Sequence, residues 1–433
     1  MIINEVKLTN FRCFETFQLN LDERLTLLIA RNGAGKSTIL DAISANLGAF
    51  LTRLPGVSGQ NPKDSDFRIL PDGKKPAYMR VYCEGNNGVK WDRTERRDKS
   101  KRTLQQIPSG VGLKSLNDFV DKFVDAHNNK KSYQLPIYIH YGTGRGVFDV
   151  PKRKSNFGRK FPRFQALTGA LESKTNFKRF VEYFYYLENI ESRQQREERS
   201  FDIETPELKA IREAVRRMLP EFSNPRTAAP AGIMFDWLNN GEKKKLRIEQ
   251  LSDGYRTTLA MVMDIASRMA ESNPFMDDPL ETTGTILIDE IDLHLHPEWQ
   301  RNFLPNLLNT FPKIQFVVTT HSPFIIQSVK NGKLVDLDEK NKDESAYLKR
   351  SMSIEDIAVE VMGLDNVTRS EGFQARMRLA SEYYRLLDSD EKDNKDKLAS
   401  LESSLDEIEE EFSDNPVEAA FLKSERRKKN IKS

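Results

Sequence analysis

The chain has 433 residues, with Lys+Arg 67 against Asp+Glu 65, so it exceeds one average domain and carries no bulk charge that favours or excludes a polyanion. Two cysteines, Cys13 and Cys83, give no disulfide framework, and five histidines show no zinc spacing. No apolar stretch approaches the ~20 residues that span a bilayer and the N-terminus has no signal-peptide pattern, so the expectation is a soluble protein of a reducing compartment, the cytoplasm.

In chain order, Ile2 to Leu21 alternate as a hairpin does and lead into Leu25-Thr26-Leu27-Leu28-Ile29, an apolar run that predicts a buried strand. A glycine-rich turn from Ala30 to Thr38 then opens a helix at Ile39-Leu40-Asp41-Ala42-Ile43. Two further hairpins carry Asn-Gly turn signals, Tyr78–Cys83 with Val89–Arg93 and Ile233–Leu238 with Leu246–Ile248. Between them, Gln134 to Tyr141 reads as a strand ending at Gly142-Thr143-Gly144-Arg145. If it runs parallel to the Leu25 strand, Thr143 and Arg145 open onto the same sheet edge as the glycine-rich turn.

The stretch from Phe164 to Leu219 reads as helical, with Leu208, Ile211, Val215 and Met218 as one buried face. After Asp264 the α/β pattern resumes with Thr285–Ile288 before Asp289-Glu290. A second strand, Ile314–Thr319, precedes Thr320-His321-Ser322-Pro323, and a last one covers Leu334–Leu337. In the tail, Leu398, Leu401, Leu405, Ile408 and Phe412 step as a heptad seam and predict a helical hairpin, closing on the basic run Arg426–Lys429. An intramolecular hairpin and a partner-binding coil fit that seam equally well.

The glycine-rich turn between strand and helix is a phosphate cradle. Gly33 and Gly35 let the backbone curl so that successive N–H groups converge on an anion, and the helix start adds its positive end. Asn32, Gly33, Ala34, Gly35 and Thr38 would line the cradle, Lys36 would reach the outer phosphates and the Ser37 hydroxyl would ligate Mg²⁺. The first position of such loops is usually glycine; here it is Ala30, which fits where φ is negative.

Three other stretches suit the same chemistry. Asp289, at a strand end, can hold Mg²⁺ directly or through water, while Glu290 can polarise an attacking water. Leu251-Ser252-Asp253-Gly254-Tyr255-Arg256 opens a helix and offers a hydroxyl and N–H groups to an anion, although Ser252 alone also reads as an ordinary helix cap. His321, after the next strand, suits a hydrogen bond to a γ-phosphate.

In their order, these motifs resemble the heads of ABC-type ATPases. Ile3 to Phe14, "LIDEIDLHLHPEWQ" and "VVTTHSPFII" are similar to the RecF/SMC/OLD-like branch. "LPIYIHYGTGRG", "QLSDGYRTTLAMVMDIASRMA" and the tail "SIEDIAVEVMGLDNVTRSEGF" resemble the PtuA family, the ATPase subunits of Septu antiphage systems and some retron-linked modules. The resemblance implies an α/β ABC-type ATPase head, with a mixed β-sheet core and an antiparallel β lobe, an inserted helical lobe and a C-terminal helical hairpin. The implied boundaries are 1–150 and 233–338 for the two core halves, 151–232 for the insert and 339–433 for the tail.

The same resemblance implies ATP and Mg²⁺ as ligands, with Glu290, Lys36 and His321 catalytic. It implies a head-to-tail homodimer or larger homo-oligomer in which Ser252 and Gly254 cap ATP held by another copy's loop, with Asp292 in the turn that communicates across that interface. Gln105, Gln106 and the Thr143–Arg145 turn compete for the family's glutamine-loop role. The partner implied is a separate HNH endonuclease, similar to PtuB, since only about ninety residues follow Asp338 and carry no strand–acid or HNH pattern. Asp388, Asp390, Asp393 and Asp396 read as a solvated linker. A basic segment with Lys152, Arg153, Lys154, Arg159 and Lys160, interleaved with Phe148, Phe157 and Phe161, suits DNA phosphates as well as it suits a solvated loop. It leaves open a DNA-repair ATPase; Ala30 leaves open a nucleotide-binding scaffold with little hydrolysis.

Overall fold

A computed structural model describes residues 1–146, 161–173, 177–228, 232–239, 241–329 and 331–338, with short stretches and single residues between 353 and 404. Two compact units divide the chain, Met1–Ile357 and Ala358–Ser433, and the elements named below belong to the first. The basic segment from Lys152 to Lys160, the tail positions Leu398, Leu405, Ile408 and Phe412, and the run Arg426–Lys429 lie outside the described residues.

β1 (Ile3–Phe11) and β2 (Phe14–Asn20) form the expected first hairpin, followed by β3 (Leu25–Ile29), the phosphate loop and α1 (Lys36–Arg53). β4 (Tyr78–Gly85) and β5 (Lys90–Arg96) form the second. β4 pairs antiparallel with β1, so the two hairpins fuse into one four-stranded sheet ordered β2-β1-β4-β5. α2 (Lys101–Gln105) and α3 (Lys114–Asn128), absent from the sequence-based expectation, lead to β6 (Ile137–Tyr141).

The stretch expected to be helical from Phe164 to Leu219 is only partly so. Arg163–Leu167 is one short 3₁₀ turn; α4 (Lys178–Glu197) and α5 (Pro206–Met218) follow. Leu208, Ile211, Val215 and Met218 are buried as their spacing predicts. β7 (Phe222–Thr227) is an unexpected strand that joins β8 (Ile233–Asn239) and β9 (Glu242–Arg247) in an antiparallel sheet. α6 (Asp253–Ser272), β10 (Gly284–Ile288), α7 (Pro297–Thr310), β11 (Ile314–Thr319), α8 (Pro323–Ser328) and β12 (Lys333–Asp336) complete the unit.

The core is a parallel sheet ordered β12-β3-β11-β10-β6. Every residue of β3, β6, β10 and β11 is buried, which is why these strands read as continuous apolar runs instead of alternating ones. β6 pairs in parallel with β10, so the turn after it does open on the same edge as the phosphate loop. α1 touches strands of both the antiparallel and the parallel sheet. Phe50 of α1 meets Tyr138 edge-on with ring centroids 4.8 Å apart, and truncating so buried an aromatic to alanine costs roughly 3–5 kcal/mol.

One buried side chain staples the two sheets. Gln315 of β11 accepts from the Ile3 N–H (2.9 Å) and the Thr285 hydroxyl (2.9 Å), and donates to the carbonyls of Ile3 (2.7 Å) and Asp22 (2.9 Å). Burying an amide is costly unless its polar atoms find partners, and those of Gln315 all do. No helix among the described residues is long and apolar enough to cross a membrane.

Candidate functional site

The phosphate loop leaves β3 and curls through two left-handed residues, Gly33 (φ +84°) and Gly35 (φ +104°). A Cβ on Gly35 would stand 2.5 Å from the Phe14 ring and 2.9 Å from the Cys13 sulfur, so the β1–β2 turn buttresses the loop. Ala30 is not among the residues with positive φ, and its methyl is therefore tolerated. Lys36 is only 7% exposed. Its Nζ donates to the carbonyls of Ala30 (2.7 Å) and Arg31 (3.2 Å). Burial lowers the Lys36 pKa, against the pull of the carboxylates of Asp289, Asp338, Glu290 and Asp292. Asp338, just past β12, accepts from the Arg31 N–H at 2.6 Å and steadies the start of the loop. Asn32 and Ser37 are exposed, and Ala34 and Thr38 half-buried.

Asp289 and Glu290 follow β10, beside β11. Thr319, the last residue of β11, donates to Asp289 Oδ1 at 2.6 Å and accepts from the Glu290 N–H at 2.7 Å. Thr320 donates to Asp292 Oδ1 at 2.5 Å. Glu290 takes a left-handed backbone (φ +46°), a conformation that costs a non-glycine residue roughly 1–3 kcal/mol and persists only where surroundings enforce it. Arg145, in the turn after β6, is 2% exposed and donates to the carbonyls of Asp289 (2.5 Å), Glu290 (2.6 Å) and Gly142 (3.1 Å). Its pKa falls to about 10 because burial outweighs the attraction of Asp289, Asp292 and Glu290. Of the three candidates for the glutamine-loop role, the Thr143–Arg145 turn is the one that reaches the acids; Gln105 and Gln106 are exposed in and just after α2.

His321 is half-buried immediately after Thr319-Thr320. The next residue, Ser322, caps α8 by accepting from the Phe324 N–H at 3.1 Å and donates its own proton to Gln300. Ser252 occupies the N-cap position of α6, as an ordinary cap would, yet its exposed side chain makes no capping hydrogen bond. Gly254 packs against the acid-bearing turn: a Cβ there would lie 2.5 Å from the His294 carbonyl oxygen.

Thus Lys36, Asp289, Glu290 and Asp292 share one electrostatic environment, β11 ends beside the acids with His321 next in line, and Gly254 contacts the turn that follows them. Four contributors escaped sequence reasoning: Thr319 and Thr320 as hydroxyl partners, Asp338 at the loop, and the specific contacts of Arg145. The signal available for the first pair was two consecutive hydroxyl residues at the end of a buried strand.

Among the described residues no His, Cys, Asp and Glu side chains group as a ready-made metal cage. The donors on hand, the Ser37 hydroxyl and the Asp289 carboxylate, are hard oxygens. They fit magnesium, which keeps most of its shell as water and phosphate and needs one or two protein oxygens.

A strand, a glycine loop and a helix, with an acid-ended strand one place beyond the neighbouring strand, define the class: a P-loop nucleotide-binding protein. A family model described as an AAA domain matches residues 5–223, and the chain belongs to that family. It is 29% identical over 387 residues to the retron Ec83 probable ATPase of Escherichia coli, covering 76% of this chain and 70% of that protein. It is 24% identical over 433 residues to the Septu protein PtuA of Bacillus thuringiensis, covering 94% of this chain and 93% of the relative, which bears out the resemblance to PtuA proteins. Among solved structures, the SMC head domain from Thermotoga maritima is 15% identical with a TM-score of 0.41, over 78% of this chain and 94% of that one.

Proposed function

We propose that the chain is an ATP-binding and ATP-hydrolysing subunit of a bacterial antiphage defence complex that acts in the cytoplasm. The observation carrying this reading is the gathering of the phosphate loop, Asp289-Glu290, the Thr319-Thr320-His321 segment and the Arg145 turn at one edge of a single parallel sheet. Ligands of α/β sheets lie at that edge. The names of the retron and Septu relatives support the defence role.

In this reading the loop N–H groups and the start of α1 hold the β- and γ-phosphates of ATP, and Lys36 turns its ammonium from two carbonyls to the phosphates. Ser37 and Asp289 would hold Mg²⁺, which when bound neutralises developing phosphate charge. Glu290 orients and deprotonates the attacking water, and His321 hydrogen-bonds the γ-phosphate. Ser252 and Gly254 complete the site of a second copy, so two chains associate head to tail around ATP. Support for that lies in the Ser252 hydroxyl, exposed and unused as a cap at the start of a 20-residue helix. Nucleotide-driven association would favour one conformation of an assembly with a PtuB-like HNH endonuclease, and so gate that partner's cleavage.

The test is ATP hydrolysis by purified chain against Lys36→Ala and Glu290→Gln. Turnover reduced at least about a hundredfold in both to a slow residual rate, with ATP retained by Glu290→Gln alone, is the expected pattern; full turnover in either variant contradicts it.

A further inference from the structure

We propose that Thr319 and Arg145 are positioning residues that together clamp Glu290 in its left-handed conformation and so aim its carboxylate. The inference rests on the reading of Glu290 as the base. Glu290 is one of seven non-glycine residues with positive φ among the described residues. Its two backbone polar groups are both taken, from opposite sides. The N–H goes to the Thr319 hydroxyl at 2.7 Å, from β11. The carbonyl accepts from Arg145 Nη2 at 2.6 Å, from the turn after β6. β11 and β6 flank β10 on its two sides in the sheet, so the clamp closes across the strand that delivers the acid.

The chemistry explains why these residue types are used. A hydroxyl combines one donor with acceptor lone pairs at a single atom. Thr319 gives its proton to Asp289 Oδ1 and accepts the Glu290 N–H, coupling the two acids through one oxygen. Asp289 Oδ2 is left for other work. A guanidinium presents a fixed fork, and Arg145 spends it on three carbonyls with no carboxylate hydrogen bond. Such an arginine is buried at the cost of its hydration and returns geometry rather than charge pairing. Ile291 N–H bonds the Thr319 carbonyl at 2.9 Å, so the backbone after Glu290 is also anchored to β11. With its neighbours fixed, the side chain of Glu290 departs from a backbone that the free chain seldom adopts.

The experiment uses the full chain in single-turnover ATP hydrolysis, with ATP affinity measured separately. The variants are Thr319→Val, which keeps shape and removes both hydrogen bonds, Thr319→Ser, which keeps them, and Arg145→Lys, which cannot span three carbonyls. Thr319→Val and Arg145→Lys are expected to lower the hydrolysis rate at least about tenfold with ATP affinity within about twofold of wild type, because small misplacements of a catalytic group are costly. Thr319→Ser should recover most of the rate. Introduced into Glu290→Gln, Thr319→Val should cost nothing further, since a positioning residue acts through the group it positions. A wild-type rate in Thr319→Val, or a loss undiminished in the Glu290→Gln background, overturns the clamp. Full turnover in Glu290→Gln alone overturns instead the assignment of Glu290 as base.

Discussion

The backbone of Gly254 lies so close to His294 that a Cβ would stand 2.5 Å from the His294 carbonyl oxygen. One residue on, Tyr255 meets Trp299 with ring centroids 3.7 Å apart. The start of α6 is therefore seated on the turn that follows Asp289-Glu290, and His294 itself sits at φ +66° in that turn. Gly254→Ala must push the two apart. We expect a loss of roughly 1–3 kcal/mol of stability from overpacking and a fall in ATP turnover, both read against wild type by thermal melting and a steady-state assay.

Lys36 is held by two carbonyls and surrounded by carboxylates, so its removal leaves an acidic, phosphate-repelling cavity mouth. Lys36→Ala should weaken ATP binding by about ten- to a hundredfold, the equivalent of losing one charge-assisted hydrogen bond. Calorimetry on the purified variant checks this, and unchanged affinity removes Lys36 from the phosphate site.

His140 is 3% exposed, with Nδ1 4.0 Å from Asp41. Burial lowers its pKa below the ordinary 6.5, more than Asp41 and Asp289 raise it. The sign follows from linkage. Below pH 6.5 the unfolded chain takes up a proton that the folded chain resists, so this group costs stability as pH falls from 6.5 toward the folded value, and nothing above. His140→Gln should flatten the decline in melting temperature between pH 7 and pH 5 relative to wild type. An unchanged slope would show that His140 does not contribute to it.

The parallel strands were legible because strands buried on both faces read as apolar runs, and Leu25–Ile29, Thr285–Ile288 and Ile314–Thr319 all do. The buried face of α5 was equally plain from its spacing. β7 was not: Phe222-Ser223-Asn224-Pro225-Arg226-Thr227 holds a proline and a left-handed Asn224, and its pairing with β8 slips between Ser223 and Arg226. α7 was hidden by Pro297 and Pro305, although proline at a helix start is favourable. Lys36, Asp289 and Glu290 announced themselves by motif, whereas Thr319 and Arg145 matter through a partner, Glu290, 29 and 145 residues away, a separation that local pattern does not encode.

The thiols offer an independent reporter. Cys13 is exposed and its sulfur lies against the Gly35 backbone, while Cys83 is buried, which pushes its pKa up to about 12. Alkylation at neutral pH should therefore modify Cys13 alone. ATP should slow that modification several-fold by occupying the adjoining loop. Mass spectrometry of labelled chain with and without ATP checks it; equal rates would place the nucleotide elsewhere.

The proposed ATP site is built from the phosphate loop of one copy and Ser252 with Gly254 of another. Mixing decides it most directly. Lys36→Ala and Ser252→Arg chains, each inactive alone, are combined in equal amounts and allowed to exchange. If the sites form in trans, half of the dimers carry one intact site of two, and turnover recovers to about one quarter of wild type. If the mixture stays as inactive as its parents while exchange of subunits is demonstrated by mass, the composite site is contradicted.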